Sequence, residues 1–205
     1  MAINRSDVLA AAREILCRHS LADLSMRRLA AELGVSPNAL YWHYPDKQTL
    51  LAALGDDILS PVAAPPAGLP WDDRLESLAR DMRATLTAVP DSAELVSSSW
   101  SSGLSSMTVL DHLTEAASAA DLPERARRGL VTAIAQLVIG LTIEEQTRRQ
   151  MTRLGVTGPT ERDYDAEFAD ALEIVLHGAR QMAITQAPDA DTAQARQNAP
   201  AITLA

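Results

Sequence analysis

The chain is poor in cysteine, in strand-forming patterns and in long apolar runs. Its 205 residues contain one cysteine, Cys17, which excludes a disulfide framework and suits a reducing compartment. No apolar run approaches the roughly 18 residues that a membrane span requires, and none follows a basic stretch at the N-terminus, so neither a span nor a signal peptide is expected. β-Branched and aromatic residues are thin and do not alternate with polar ones. The sequence therefore predicts an all-α, soluble, cytoplasmic protein with no membrane partner.

Motifs for catalysis and for metal binding are also missing. A helical di-metal enzyme needs a pair of Glu-x-x-His motifs, which the chain lacks. Gly103, Gly155 and Gly158 do not form a phosphate-binding pattern, and Cys17 has no evident His or Asp partner. We therefore predict no catalytic residue, no metal and no cofactor, and an enzyme stands only as a rival hypothesis.

Acidic residues outnumber basic ones, but the charge is unevenly spread. The net charge is −9 and the pI about 4.9, which by itself argues against a nucleic-acid partner. Residues 1–50 nevertheless carry a net charge of +1, whereas the rest of the chain carries −10. The acidic body cannot favour DNA, but the head can if its few cations share one face. The alternative hypothesis is a helical adaptor or ligand-binding protein that keeps the fold and binds no DNA.

Residue types that are scarce elsewhere are concentrated in one segment, NALYWHYPDKQTLL. Three of the seven aromatic residues, Tyr41, Trp42 and Tyr44, fall within four positions of this segment. His43 lies between them, and the only lysine of the chain, Lys47, follows. Aromatic residues on a short amphipathic helix are usually core residues, so a structural and a binding role both stay open at this point.

Capping residues and apolar stripes divide the first 60 residues into four helices. The predicted N-caps are Asn4, Ser25, Ser36 and Asp46, with Pro37 in the first turn of the third helix and Gly34 ending the second. The second helix, the tight turn at 34–36 and the third helix at 37–44 have the spacing of a helix-turn-helix. A fourth helix at 47–59 follows as a linker.

A second helical domain is predicted after this head. A Pro/Ala/Gly-rich linker follows residue 60, and amphipathic segments predict later helices that begin near Trp71, Met107, Pro123 and Asp163. The serine-rich segment 97–106 either lines a pocket or forms a flexible loop. The predicted divisions are a DNA-binding head at 1–46, a linker helix at 47–60, an effector-binding and dimerisation domain at 61–186, and a disordered tail at 187–205.

The head offers donors where a helix-turn-helix meets a duplex. Phosphates are held by cations and hydrogen-bond donors, and bases are recognised by the start of the second helix of the unit. Asn38 can pair with adenine, and Pro37 or Ala39 can contact a thymine methyl group. Trp42 is expected to anchor the short helix against the body. The predicted DNA-binding set is Arg27, Arg28, Ser36, Pro37, Asn38, Ala39, Tyr41, Trp42, His43 and Lys47.

Two N-terminal blocks, VLAAAREILCRHS and LSMRRLAAELGVSPNALYWHYPDKQTLLAAL, resemble the DNA-binding domain of the TetR family of transcriptional regulators. The LYWHYPDK core is the most specific part of this resemblance. Farther on, PWDDRLESLARDMRATLTAVPD and LVIGLTIEEQ are similar to the effector domain of the tetracycline-repressor subgroup. The similarity covers most of the chain, strongly over 4–59 and loosely afterwards.

The resemblance implies a homodimeric repressor that binds an inverted-repeat operator in double-stranded DNA and is released by a small-molecule effector. The helices that start at Pro123 and Asp163 would form the four-helix bundle of the dimer. The effector would move the linker helix and change the separation of the two heads. By position, the effector-binding candidates are Trp100, Leu104, Met107, Leu137 and Glu144.

Departures from the family pattern set the expected specificity. The chain has Pro37, Asn38 and Ala39 where the tetracycline repressor has Gln-Pro-Thr, so a different operator sequence is expected. The histidines that hold tetracycline and its magnesium are replaced here by a PVAAPP stretch and by serines near 96–98. A tetracycline–magnesium complex is therefore not the expected effector.

Overall fold

The computed structural model describes residues 3–186, which form nine α-helices and no β-strand. In chain order the helices are α1 (Arg5–Arg18), α2 (Met26–Glu32), α3 (Pro37–Tyr41), α4 (Lys47–Leu59), α5 (Trp71–Thr87), α6 (Ser92–Ser102), α7 (Thr108–Ser118), α8 (Glu124–Arg153) and α9 (Tyr164–Gln186). The predicted all-α fold, with an N-terminal helix-turn-helix and a C-terminal helical part, is confirmed. The predicted tail at 187–205 lies outside the described residues.

Short-range hydrogen bonds start the helices of the head at the predicted caps. The Asn4 side chain accepts the backbone N–H of Asp7, and the Asp7 carboxylate accepts that of Asn4, both at 2.9 Å. This capping box begins α1. The Ser25 hydroxyl accepts the backbone N–H of Arg28 at 3.2 Å and begins α2. Each cap satisfies a backbone donor that the first helical turn leaves free.

The turn between α2 and α3 depends on Gly34. Its φ of +65° lies in the left-handed region, which glycine enters without a Cβ clash. Gly34 donates its N–H to the Ala31 carbonyl at 3.2 Å, and Val35 donates to the Ala30 carbonyl at 3.0 Å. These two bonds form a Schellman motif, which ends α2 and redirects the chain into α3.

The predicted start of α3 at Ser36 is confirmed, but its predicted end is wrong. Ser36 occupies the N-cap, but its side chain makes no capping bond, because its own carbonyl takes the N–H of Ala39 at 3.0 Å. The helix ends at Tyr41 rather than at Tyr44. Its end is tightened because the N–H of Tyr44 and that of the preceding residue both reach the Leu40 carbonyl at 2.9 Å.

Helices α5 to α9 build a body around α8. This helix packs on α5, α6, α7 and α9, and its buried face includes Ile134 and Val138. Arg83 of α5 is only 4% exposed and donates to Glu145 of α8 at 2.8 Å and to Asp165 of α9 at 2.7 Å. Breaking such a buried pair leaves an uncompensated charge and costs about 3–5 kcal/mol. The arginine therefore ties three helices together.

By length and composition alone, α8 is the one described helix that could cross a membrane. A buried core helix has the same composition. Helix α8 packs against four other helices of the body, and this packing buries 33% of its most apolar stretch.

The serine-rich segment 97–106 is part helix and part connection. Residues 97–102 form the end of α6, where Ser99 is buried and donates its hydroxyl to the Leu95 carbonyl at 2.8 Å. Gly103, with φ +70°, ends the helix, and the following residues lead into α7. The hypothesis of a flexible loop is therefore wrong for residues 97–102.

The linker helix α4 is packed against both parts of the molecule. It lies against α1 in the head and against α5 and α6 in the body. Gly55 permits the close approach to α6, because a Cβ at this position would lie 3.0 Å from Leu95 Cδ2. At the start of α6, the Asp91 carboxylate accepts the backbone N–H of Leu21 in the head at 2.8 Å. A displacement of α6 would therefore reach the head by two routes.

Candidate functional site

The outward surface of the helix-turn-helix collects most of the predicted DNA-binding residues. The exposed members around α3 are Ser36, Pro37, Asn38, Tyr41 and Trp42, and the half-buried members are Ala39 and His43. Tyr41 is 47% exposed and Trp42 is 89% exposed. The start of α3, where base recognition was predicted, is therefore open to a ligand.

Trp42 and Tyr44 lie on opposite sides of the chain. Tyr44 is 1% exposed and donates its hydroxyl to the Arg5 carbonyl at 3.4 Å, and the Arg5 guanidinium lies 4.6 Å from its ring centre. Leu40, four residues earlier and fully buried, takes the other inward position. Trp42 lies between these two and points outward, so the prediction that it anchors the short helix against the body is wrong.

Of the six cations in residues 1–50, three are held in ion pairs, whereas Arg5, Arg27 and Lys47 join none within the described part of the chain, and Arg5 lies against the Tyr44 ring. The paired cations are Arg13 with Asp57, Arg18 with Glu14 and Glu32, and Arg28 with Asp23. Arg27 and Lys47 join none of the ion pairs that residues 3–186 form. Arg27 is exposed in the first turn of α2, and Lys47 is the half-buried first residue of α4. Arg28 is half-buried and held by Asp23 at 3.3 Å, which makes it less available than Arg27.

The Asp46 carboxylate places a negative charge next to Lys47 at the start of α4. Asp46 accepts the backbone N–H of Thr49 at 2.7 Å. That bond is the main reason why the pKa of Asp46 is lowered from its ordinary value, so the cap stays ionised. The Thr49 N–H is consequently not free for a phosphate, and the Lys47 ammonium is the principal donor at this helix end.

Two cavities open at the connection between α6 and α7. The first, of about 670 Å³, lies between α6, α7 and α8. The second, of about 630 Å³, lies between α1, α4, the 60–64 linker and α7. Trp100 and Met107 line both. Volumes of this size suit small-molecule ligands.

Two of the five predicted effector-binding residues meet at these cavities, namely Trp100 and Met107. Leu104 is 51% exposed and lines neither cavity. Leu137 is half-buried and packs against the core. Glu144 is exposed and is held at 2.6 Å by an arginine of the connection to α9. Leu104, Leu137 and Glu144 therefore do not lie at the cavities that Trp100 and Met107 line.

Sequence analysis missed the residues that join these cavities to the linker helix. Asp56 of α4 accepts the Ser105 hydroxyl at 2.6 Å and the Ser106 N–H at 2.8 Å. Ser105 in turn accepts the N–H of Met107 at 3.1 Å, and Met107 has a φ of 55°, a strained value for a residue other than glycine. The sequence around Asp56 contains no pattern that predicts its hydrogen bonds, because Ser105 and Ser106 lie 49 and 50 positions farther along the chain.

Elsewhere in the described part of the body, a third cavity has a different lining. A cavity of about 670 Å³ at the C-terminal end of α8 is lined mainly by charged side chains, and several of these pair with each other, as Arg149 does with Glu145. In the part of the chain that the structure describes, no three His, Cys, Asp or Glu side chains are grouped to hold a metal ion.

A helix-turn-helix with an exposed second helix, carried on a helical body, defines the class of DNA-binding transcriptional regulators. Residues 8–54 match the family model of bacterial regulatory proteins of the tetR family, and residues 64–162 match that of the tetracyclin repressor-like C-terminal domain. The chain belongs to the TetR family.

Solved structures and curated relatives agree with this assignment. The crystal structure of Mycobacterium smegmatis BioQ is 38% identical, has a TM-score of 0.80, and covers 86% of this chain and 97% of that chain. A BioQ structure with its double-stranded DNA operator is 37% identical, has a TM-score of 0.68, and covers 83% and 98%. The class D tetracycline repressor of Escherichia coli is 35% identical over 96 residues, which are 45% of this chain and 44% of that protein. The match thus spans less than half the length of this curated relative.

Proposed function

We propose that this protein is a homodimeric transcriptional repressor that binds an inverted-repeat operator in duplex DNA and is released by a small-molecule effector. The observation that carries the proposal is the pair of cations without ion pairs, Arg27 and Lys47, in the helices before and after an exposed α3. The relative solved with its own DNA operator supports DNA binding by this fold. Because the body is acidic, binding would be confined to the head.

Phosphate and base contacts would fall to different residues. The backbone contacts are assigned to Arg27, Arg28, Ser36, Tyr41, His43 and Lys47, which offer cations and polar hydrogens. The base contacts are assigned to Pro37, Asn38 and Ala39 at the start of α3. Trp42 adds a large exposed ring beyond the end of α3, suited to packing on the sugar–phosphate backbone.

The outer sides of α8 and α9 would supply the dimer interface. Ile174 of α9 is 73% exposed, and Gly178 one turn later has open space around it. Gly140 of α8 is likewise exposed, with nothing within 4 Å of a Cβ. Small residues let helices approach closely, and apolar ones gain from burial. A four-helix bundle from two copies would hold the heads about 34 Å apart, which is the spacing of successive major grooves.

The effector would act through the connection between α6 and α7. A molecule bound beside Met107 repacks the strained residue that Ser105 holds in place. Asp56 then passes the change to α4. A shift of a few Å in this helix changes the separation of the heads and misaligns one of them.

These roles divide the chain into a DNA-binding head at 1–46, a linker helix at 47–60 and an effector-binding and dimerisation domain at 61–186. The protein would act in the cytoplasm, where the operator is accessible. No catalytic step is part of this function.

Replacing Lys47 tests the phosphate contacts. We expect Lys47→Ala to weaken binding to all duplexes alike and to reduce the slope of log affinity against log salt concentration by about 1. Gln48→Ala is the matched control, because Gln48 is exposed on the same helical turn. Fluorescence anisotropy with a labelled duplex, over about 50 to 200 mM salt, measures both quantities. An unchanged slope in Lys47→Ala would remove this residue from the interface.

Selection of random duplexes by the purified full-length protein tests sequence recognition. An enriched inverted repeat is expected, with half-sites about one to one and a half helical turns apart. Asn38→Ala should change the enriched half-site rather than abolish binding. If no sequence is enriched even at low salt, the alternative of a helical adaptor or ligand-binding protein that binds no DNA replaces the repressor.

A further inference from the structure

We infer that the cavity between α6, α7 and α8 binds a small amphipathic anion, with the apolar part inside the cavity and the acidic group at Arg127. The inference rests on the proposed function in taking this cavity as the effector site. It names the chemical class of the effector, and binding itself is measured without DNA.

The interior of the cavity is apolar. Its walls include the Trp100 ring, the Met107 side chain, Leu110 of α7 and Val131 and Ala135 of α8. Ala135 is only 3% exposed, whereas Leu110 and Val131 are half-buried and leave part of their surface to the cavity. A volume of about 670 Å³ accommodates a fused-ring or medium-chain molecule. Apolar surface removed from water would supply most of the binding.

The lining of the cavity carries an excess of positive charge. Glu124, Arg127 and Arg128 line it from the first turns of α8. Glu124 and Arg128 bind each other at 3.1 Å, and both are more than 70% exposed, so their charges largely cancel and are screened. Arg127 is half-buried and joins no ion pair within the described part of the chain. It is therefore the cation left to bind an anion.

The hydroxyl groups of the cavity do not compete with Arg127 as donors. Four hydroxyls line it, and each donates its proton to a carbonyl of its own helix. The bonds are Ser101 to Ser97, Thr114 to Leu110, Ser118 to Glu115 and Thr132 to Arg128. These oxygens are left as acceptors, which face an anion unfavourably. The Gln136 amide and the Trp100 indole N–H also line the cavity as neutral donors. The guanidinium of Arg127 is the lining cation that joins no ion pair among the described residues, and it offers an acidic group a charge-assisted and bidentate contact.

The neighbouring cavity has the opposite charge. It shares Trp100 and Met107 but is lined by Asp56 and Asp57. Arg13 neutralises Asp57 at 3.0 Å, whereas Asp56 is bound only by neutral donors, Ser105 and Ser106. An anion is therefore disfavoured in that cavity and directed to the one that holds Arg127.

Two fluorescent probes with one ring system separate the charge from the apolar part. Anilinonaphthalenesulfonate carries an anionic sulfonate, and phenylnaphthylamine is its neutral counterpart. We expect the full-length protein to bind both. Arg127→Gln should lower the affinity for the sulfonate probe about tenfold or more, because a hydrogen bond to a charged group is lost. The affinity for the neutral probe should stay within about twofold of its original value. Arg125→Gln is the matched control, because Arg125 is exposed on the same turn and does not line the cavity.

A second variant tests the location. Val131→Trp places a large ring in the cavity and should abolish binding of both probes, and circular dichroism with a thermal melt shows whether the variant is folded. The inference is overturned if neither probe binds the unaltered protein, if Arg127→Gln weakens both probes equally or neither, or if a folded Val131→Trp variant binds both normally. Failure of DNA binding in the Lys47 assay would sink the repressor proposal alone, since probe binding does not involve the head.

Discussion

At the scale of single residues, burial and exposure alternate sharply around the end of α3. Leu40 and Tyr44 are buried, whereas Tyr41 and Trp42 between them are open to solvent. Of these four residues only Leu40 and Tyr41 belong to α3, and Tyr44 enters the core from the segment that follows the helix. The aromatic cluster therefore combines one core residue, Tyr44, with two surface residues, Tyr41 and Trp42. Which aromatic belongs to which class depends on where α3 ends, and that end is set by hydrogen bonds to the Leu40 carbonyl.

Trp42→Ala and Tyr44→Ala should separate binding from stability. Trp42→Ala should change the free energy of unfolding by no more than about 0.5 kcal/mol, as for an exposed side chain, and should weaken DNA binding. Tyr44→Ala should lower the free energy of unfolding by about 3–5 kcal/mol, because a buried ring is lost. Urea unfolding at fixed protein concentration and anisotropy with duplex DNA provide the two measurements. A strongly destabilised Trp42→Ala variant would contradict the exposed position of this ring.

Asp46 predicts a component of acid sensitivity. Its pKa is lowered in the folded protein, mainly by the Thr49 backbone N–H, from an ordinary value of 3.8. A lowered carboxyl pKa stabilises the fold above the unfolded value, and this contribution is lost as the pH falls through the folded value. We expect Asp46→Asn, which keeps a capping oxygen, to lose less stability between neutral pH and about pH 3 than the unaltered protein. Urea titrations at both pH values measure the free energy of unfolding of the two proteins. If both lose the same amount between the two pH values, Asp46 does not stabilise the helix as an ionised cap.

At the scale of helices, starts and ends follow from short segments, but contacts between helices do not. The N-caps Asn4, Ser25 and Asp46 and the turn at Gly34 were all predicted, because each involves hydrogen bonds across three to five positions. The bond from Asp56 to Ser105 was not predicted, since nothing near either residue encodes it. The candidates Leu104, Leu137 and Glu144 were assigned by position along the chain, and for the same reason they do not line the cavities that Trp100 and Met107 share.

The separation of α4 and α6 is expected to be sensitive to Gly55. A Cβ there would lie 3.0 Å from Leu95 Cδ2 and 3.5 Å from Val96 Cγ2. Gly55→Val should therefore lower the free energy of unfolding by about 1–3 kcal/mol through overpacking. It should also change DNA affinity, because α4 carries the head.

Gly129→Ala is the control for this helix substitution, because nothing lies within 4 Å of a Cβ at residue 129. Alanine at an open helical position should raise the free energy of unfolding by about 0.5–1 kcal/mol. Thermal and urea unfolding compare the two variants. A Gly55→Val protein as stable as the unaltered one would show that α4 and α6 are not tightly packed at this point.

At the scale of the whole molecule, charge and exposed apolar surface suggest how two copies would be arranged. The head is near neutral with available cations, and the body is strongly acidic. In the proposed dimer, like charge would confine contact between the two bodies to places where uncharged residues such as Gly140, Ile174 and Gly178 are exposed. In the proposed complex, the same acidity would keep DNA on the head.

Gly178→Arg tests the dimer. A long charged side chain on the outer side of α9 should prevent close approach of a second copy, so sedimentation should show a monomer. DNA affinity should fall steeply, because one head alone covers one half-site. Gly68→Arg is the matched control, since residue 68 is exposed in the linker with nothing within 4 Å of a Cβ. A Gly178→Arg protein that stays dimeric would place the interface elsewhere.

By itself, the sequence determined the helical class, the helix-turn-helix, the caps of α1, α2 and α4 and the family. These features depend on periodicity and on hydrogen bonds between residues a few positions apart, which a linear pattern contains. Only the tertiary structure decided that Trp42 is exposed while Tyr44 is buried, and which side chains meet at the cavities. Those outcomes depend on residues tens of positions apart, such as Arg5 with Tyr44 or Asp56 with Ser105, whose proximity exists only after the helices have packed.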